Sequence, residues 1–356
     1  MIVITVLNII VVFMSYLARF EKHRYLLAWA FILLISVLGI RYGYGNDFFN
    51  YEYFFEHGSY TTENEDPEPG WLLLNRLFKP FGFSTFVFFL TAIEHLMLYD
   101  LIRRYVSPNY YWFAVFLYVF NPNYMLIGLS MMRQFPVQIL GLYALEKAID
   151  KKYIQFFLIV SLAFTIHKVA IFLLLLYLLP FIKRPKWWMF IGVFFIMYFI
   201  ISNMMLIIEQ GIGLIQESGM KYADSYLNDQ VLGDDNKLGL KTVLHYFVFI
   251  VFFIRGLKFL EKKEMPFSWM VVCGILIIPF AFAFPMAIRT SWIYTMAEIL
   301  CFPLLLQNEK SPILKYGLSF ILITSILLFE YRGFWGSEVY GAYFRSFTTI
   351  FSNYSI

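Results

Sequence analysis

The sequence predicts an all-α, polytopic membrane protein: a single helical bundle over residues 1–356 that crosses the bilayer about twelve times. Three observations carry this. The 356 residues are 60% hydrophobic and only 15% charged, against about 25% charged in an ordinary soluble domain, and the mean hydropathy is +0.67. Apolar runs of about 20 residues, the length that crosses a hydrocarbon core, recur along the chain. Aromatic residues reach 21%, with 42 Phe and 26 Tyr, which suits lipid-facing surface and interfacial belts. A soluble protein of this composition has no polar surface to present to water, and a net charge of +4 gives no footing for nucleic acid.

The spans follow in order. Runs of crossing length begin near Ile2, Tyr25, Ser84, Asn109, Trp187, Thr242, Phe267, Ile288 and Pro312, and a slightly more polar one covers Met131 to Ala148. The run at Ile2 lacks a charged n-region and a small-residue cleavage site, so it is expected to be a retained span. Tyr153 to Ile182 is about thirty residues interrupted by Ile166-His167-Lys168. As one helix it would run roughly 45 Å, too long for one crossing, so a hairpin of two short helices meeting at His167 is predicted.

Charge sets the expected orientation, because loops rich in Lys and Arg stay inside. The basic loops hold Arg19, Lys22 and Arg24; Arg103 and Arg104; Lys147, Lys151 and Lys152; Lys183, Arg184 and Lys186; and Arg255, Lys258, Lys262 and Lys263. The alternate loops are acidic, with Asp47, Glu52, Glu56, Glu63, Glu65, Asp66 and Glu68 in one and Glu209, Glu217, Asp224, Asp229, Asp234 and Asp235 in another. The alternation holds throughout only if Tyr153–Ile182 is a hairpin. Both termini are then outside, with outer segments at 41–70 and 209–240. Aromatic spacing over Phe48, Phe49, Tyr51, Tyr53, Phe54 and Phe55 predicts a helix lying at the interface in the first of them. Cys273 and Cys301 fall inside apolar runs as small buried hydrophobes, without metal-ligand spacing.

Several polar residues stand where a plain span would not place them. Arg41 opens Arg41-Tyr42-Gly43-Tyr44-Gly45-Asn46-Asp47, where glycines two apart allow tight turns that would bring Arg41 and Asp47 together. An interfacial anchor is the plainer reading of Arg41. Glu68-Pro69-Gly70-Trp71 reads as the start of a short amphipathic helix running to Lys79, where Glu68 either caps that helix or does chemistry. Arg133 and Gln134 lie just inside a span. An Arg there faces a polar cavity or an ionic partner, for which Glu94 and Glu298 are the candidates. His167 and Lys168 sit at the hairpin tip, below the surface, where His is suited to proton exchange near neutral pH; a hydrogen-bonded structural His is the alternative. Arg289 opens a later span, with Tyr294 and Glu298 one and two turns deeper on the same expected face. The tail from Tyr331 to Arg345 suits a lipid-headgroup anchor. His57, His95 and His245 form no metal spacing, and no phosphate-cradling Gly-Lys-Ser/Thr motif occurs.

Arg41-Tyr-Gly-x-Gly-x-Asp47-x-x-x-Tyr51, then Glu68-Pro-Gly-Trp71, Met-Arg133-Gln134, Ile-His167-Lys-x-Ala170 and Arg289 with Tyr294 together resemble the EpsG-like branch of Wzy-type polysaccharide polymerases, in the family's order over most of the chain. Val169 stands where members often carry a small hydroxyl residue. The resemblance implies glycan transfer from undecaprenyl pyrophosphate to the non-reducing end of another lipid-linked repeat unit, at the outer face of a bacterial cytoplasmic membrane. Donor and acceptor lipids are the implied partners, with room for a chain-length regulator.

Roles then follow from chemistry. A departing pyrophosphate needs fixed positive charge where negative charge develops. Arg133 and Arg289 are the first choices because a guanidinium fork matches phosphate oxygens, with Arg41 and Lys168 behind them. The acceptor hydroxyl needs a base within hydrogen-bond reach: His167 first, with Asp47 or Glu68 as rival or orienting partner. Tyr51, Trp71, Gln134 and Tyr294 are the expected glycan contacts. Such a scheme needs no metal or other cofactor, although Asp47 with Glu68 is a conceivable divalent-ion pair. Two other classes compete, a flippase of the same lipid-linked oligosaccharide and a membrane acyltransferase resting on His167. A flippase calls for polar groups open to both faces and often for related halves, whereas here the polar groups crowd one side.

Overall fold

The computed structural model describes residues 1–59, 67–182, 263–278, 285–338 and 341–352, with isolated positions between 199 and 260. The spans expected near Trp187 and Thr242 and the outer segment 209–240 lie outside the described residues. The remainder is all-α apart from one two-residue strand pair. Among the described residues, three helices are long and apolar enough to cross a membrane (Glu21–Gly39, Phe83–Tyr105 and Pro312–Gly336), and shorter apolar helices accompany them. The chain is a membrane protein.

α1 (Ile2–Leu17) and α2 (Leu26–Gly39) form a hairpin, and α5 (Phe83–Tyr105) packs on α2. Beyond α2 the chain turns through β1 (Arg41–Tyr42) into the short helix α3 (Phe48–His57). The helix expected from the aromatic spacing is present: Phe48, Tyr51, Phe54 and Phe55 are buried, while Phe49 and Tyr53 stay exposed. Gly43 and Gly45 both take positive φ, the left-handed turn conformation that glycine adopts without strain. β1 pairs antiparallel with β2 (Thr348–Thr349), so Arg41 lies opposite Thr349. The aromatic tail therefore docks on the protein: Tyr44 meets Phe344 and Phe347 edge-on, with centroids 4.9 and 5.0 Å away. The Met1 ammonium reaches the Arg345 carbonyl, so both described ends share the Arg41 end of the bundle.

The predicted fourth span is broken. α6 (Tyr111–Phe120) stops at Asn121-Pro122, where Pro122 has no N–H to give the helix and the Asn121 side chain accepts from the Asn123 amide at 3.1 Å. α7 (Met125–Ser130) follows, then a tight turn over Met131–Arg133, then α8 (Gln134–Ile149). Residues 113–132 are buried except Asn123, which is what irregular backbone within a membrane protein requires. The span expected from Ile288 is likewise divided, into α11 (Pro285–Thr295) and α12 (Glu298–Asn308), with α10 (Met265–Ile277) packed on α11. Glu298 therefore leaves the face of Arg289 and takes the Tyr124 hydroxyl at 2.7 Å.

The hairpin is present. α9 (Tyr153–Ile166) ends at His167, whose backbone is extended, and a second arm (Lys168–Phe181) returns. The Tyr177 ring packs on Tyr153, Phe156 and Phe157 with centroids 5.3, 5.8 and 5.9 Å apart. In one straight helix Tyr153 and Tyr177 would stand about 36 Å apart. The return arm is wound as a 3-10 helix, and its buried residues Ala170, Leu173, Leu176 and Leu179 fall every third position, as three residues per turn demands. At about 2 Å per residue its 14 residues reach roughly 28 Å.

Among the described residues, the basic groups of the Arg103–Arg104, Lys147–Lys152 and Lys263 loops are tied to one another's elements. Arg104 bonds Glu146 and, at 2.9 Å, Asp100, Lys263 lies 4.0 Å from Asp150, and the Tyr111 hydroxyl donates to the Arg103 carbonyl at 3.5 Å.

Candidate active site

α4 (Pro69–Phe78) begins with Pro69 at its first position, and the Glu68 carbonyl accepts the Leu72 amide at 2.9 Å. The Glu68 carboxylate makes no cap on its own helix. Its Oε2 accepts from Arg133 Nη1 at 2.9 Å, and its Oε1 faces His167 Nδ1 at 3.0 Å and the Lys168 amide at 3.2 Å. It thus caps the return arm instead, satisfying an N–H left free where the hairpin turns. Arg133 meets Glu68 rather than the expected Glu94 or Glu298. Glu68 is only 4% exposed. Burial raises its pKa, but the His167 hydrogen bond and the Arg133 charge outweigh burial and hold it at about 2, below the ordinary 4.5. It is a carboxylate, acceptor-only, so Nδ1 of His167 carries the proton and, in the neutral ring, Nε2 keeps a lone pair.

α4 reaches this position because Gly70 lies directly against the Thr165 side chain and carbonyl of α9; a Cβ there would collide with both. Gly70→Ala is expected to destabilise the protein by about 1–3 kcal/mol, the usual penalty for forcing atoms into a packed contact. A lower thermal midpoint in detergent checks it.

Three descending elements bring the remaining cations to the same level. Gly141 of α8 sits against Leu173 of the return arm and Ile293 of α11, and the Tyr294 hydroxyl donates to the Phe172 carbonyl at 2.5 Å. Four to five residues earlier come Lys168 and Arg289. The Gln134 amide donates to the Arg289 carbonyl at 2.7 Å, which ties the start of α11 beside Arg133. Among the described residues, the Arg289 guanidinium and the Lys168 ammonium make no hydrogen bond or ion pair, so both charges are uncommitted.

Other expected site residues are placed differently. Arg41 is 2% exposed and donates to the Leu38 and Leu129 carbonyls and to Thr91 Oγ1, with no hydrogen bond or ion pair to Glu68. It does not meet Asp47, whose amide instead donates to Ser130 Oγ at 3.2 Å. Tyr51 borders the site, with Arg133 6.0 Å above its ring. Tyr51 also meets Trp71, 5.6 Å away by centroid, and Phe86 covers Trp71 in turn. Trp71 and Tyr294 are 0% exposed, so neither offers a face to a sugar; with Gln134 they form walls and ties. Among the described residues no group of three or more His, Cys, Asp or Glu side chains is arranged to hold a metal. Sequence reasoning missed the Lys168 amide, Ser130 and Thr91. Only the Ser130 position, three residues before Arg133, carried any local signal.

Fold and site together define a helical membrane protein with a carboxylate–histidine–cation centre at one end of its bundle. The sequence profile described as the EpsG family matches residues 24–344, and the chain belongs to that family. Membership associates it with polysaccharide biosynthesis at a membrane. Comparison with curated proteins and with solved structures found no match.

Proposed function

We propose that the chain is a glycosyltransferase of the polymerase type. It passes a glycan from undecaprenyl pyrophosphate to the non-reducing end of a second lipid-linked repeat unit, in O-antigen, capsule or exopolysaccharide assembly. The observation that carries this is the Glu68 carboxylate held between Arg133 and His167, beside the uncommitted charges of Lys168 and Arg289. EpsG membership supports the same chemistry. The proposed topology has about twelve crossings with both termini outside. The basic loops then lie in the cytoplasm, and the centre opens on the outer face of a bacterial cytoplasmic membrane.

His167 Nε2 takes the proton of the acceptor hydroxyl as its oxygen attacks the anomeric carbon. The bond from that carbon to the phosphate oxygen breaks, and the electron pair leaves with undecaprenyl pyrophosphate. Arg289 and Lys168 meet the developing charge, and Arg133, fixed by Glu68, supplies a third cation. Glu68 is the orienting partner of His167, not its rival. Asp47, on the loop beside Ser130, is a wall residue in this scheme.

A deletion strain tests the reading through its surface glycan. Single repeat units without the gene, and long chains restored by wild type, support polymerisation. Loss of all surface repeat units with intermediates held inside would indicate a flippase and overturn it, and long chains lacking only acyl groups would indicate an acyltransferase and overturn it too. Arg289→Ala is expected to cut chain extension about 10²-fold, the cost of one lost charge-stabilising donor, with Arg289→Lys retaining part. Gel-resolved chain length at matched membrane abundance reads this out.

A further inference from the structure

We propose that Arg41 is a positioning residue that holds the turn carrying Arg133, and not a ligand for the pyrophosphate. The proposal rests on the reading of Glu68, Arg133 and His167 as the reacting centre. Arg41 leaves the end of α2 and turns inward. Its Nη1 donates to the Leu38 carbonyl at 2.9 Å and to Thr91 Oγ1 at 2.7 Å, and its Nη2 donates to the Leu129 carbonyl at 3.2 Å. The Thr91 hydroxyl gives its own proton to the Val87 carbonyl at 2.8 Å, so it accepts from Arg41. One guanidinium thereby ties the end of α2, the middle of α5 and the last turn of α7 together.

Leu129 lies four residues before Arg133, with no regular helix between Ser130 and Gln134. That stretch needs an external hold if Arg133 is to meet Glu68. The second hold comes from the same segment. Gly45, at φ +113°, lies so close to Ser130 that a Cβ would come within 3.0 Å of its Cα, and the Asp47 amide donates to Ser130 Oγ. The tail strand in turn fixes Arg41 and Tyr42 from outside: Thr348 Oγ1 donates to the Tyr42 carbonyl at 2.5 Å, and the Ile350 amide to the Ile40 carbonyl at 3.0 Å. A lysine has the charge of Arg41 but carries its donors on one nitrogen and not on a planar fork, so it does not reproduce the separate reach of Nη1 to Leu38 and Thr91 and of Nη2 to Leu129.

Full-length protein in proteoliposomes with a lipid-linked repeat unit tests this by a double-mutant cycle. Arg41→Lys is expected to lower kcat by about 30-fold or more, nearly as much as Arg41→Ala, with KM for the lipid-linked unit within about twofold. In an Arg133→Ala background the same change should cost less than about twofold, because residues that act as a unit are not additive. A raised KM, strong retention by Arg41→Lys, or losses that multiply would show direct contact with the anion and overturn the proposal. Arg133→Ala at the wild-type rate would instead sink the reading of the centre itself. If the Arg41 variants do not accumulate, Thr91→Val decides: a fall in kcat confined to the Arg133 background supports the proposal, and an unchanged rate overturns it. One readout is independent of the reaction. Met132 is 2% exposed, so Met132→Cys should resist a maleimide, and adding Arg41→Lys should speed its labelling about tenfold or more. Equal labelling rates would overturn the positioning role whatever the chain catalyses.

Discussion

Glu68→Gln lowers chain extension by about 10³-fold or more at unchanged membrane abundance, comparable to losing the orienting carboxylate of a catalytic His. The effect is large because one carboxylate serves two partners. Without its charge, Arg133 loses its 2.9 Å ion pair, and His167 loses the acceptor that fixes the proton on Nδ1. Gln presents a single carbonyl and cannot serve both sides. The pH dependence has a definite sign. The folded pKa of about 2 is depressed from 4.5, so the stability this pair contributes, on the order of 3 kcal/mol, is fully present above pH 4.5. It is lost as pH falls through about 2. Between pH 5 and 8 Glu68 does not titrate. A wild-type rate–pH profile showing a limb that Glu68→Gln abolishes in this range would contradict its assigned charge.

His167→Ala lowers extension by about 10²–10⁴-fold, the range for losing a positioned general base. Binding of the lipid-linked unit should be nearly unchanged, since the cations remain. Combined with Glu68→Gln it should add little, because Glu68 acts on the proton transfer through His167. Initial rates of the two single variants and the double variant check this. Losses that multiply would mean that Glu68 works chiefly through Arg133.

The membrane fold was legible because bilayer thickness constrains length. Thirty apolar residues at Tyr153–Ile182 exceed one crossing, and the alternation of basic loops required the reversal that Tyr177 now documents. The 3-10 winding of the return arm was not legible, since a leucine-rich run is compatible with either helix until its packing face is known. The breaks at Asn121-Pro122 and Met296-Ala297 were also missed, because hydropathy does not register a carbonyl that changes partner. In the site, Pro69-Gly70 marked a helix start correctly. The local pattern left Glu68 as either its cap or a partner of His167, and its carboxylate serves His167, 99 residues away. That contact also answers Val169: the His167 partner comes from α4's leading edge and not from two residues downstream. Arg41 was singled out for its charge. Its burial under Leu129 is a non-local contact, which the motif alone does not reveal.

In the proposed reaction this chain itself joins repeat units at the expense of lipid pyrophosphate. Purified protein in liposomes, given one lipid-linked repeat unit and nothing else, tests that most directly. The expected result is a ladder of lengthening glycans, one undecaprenyl pyrophosphate released per linkage, and no ladder with His167→Ala. Movement of intact repeat units across the bilayer without release of pyrophosphate, from folded wild-type protein, would contradict it.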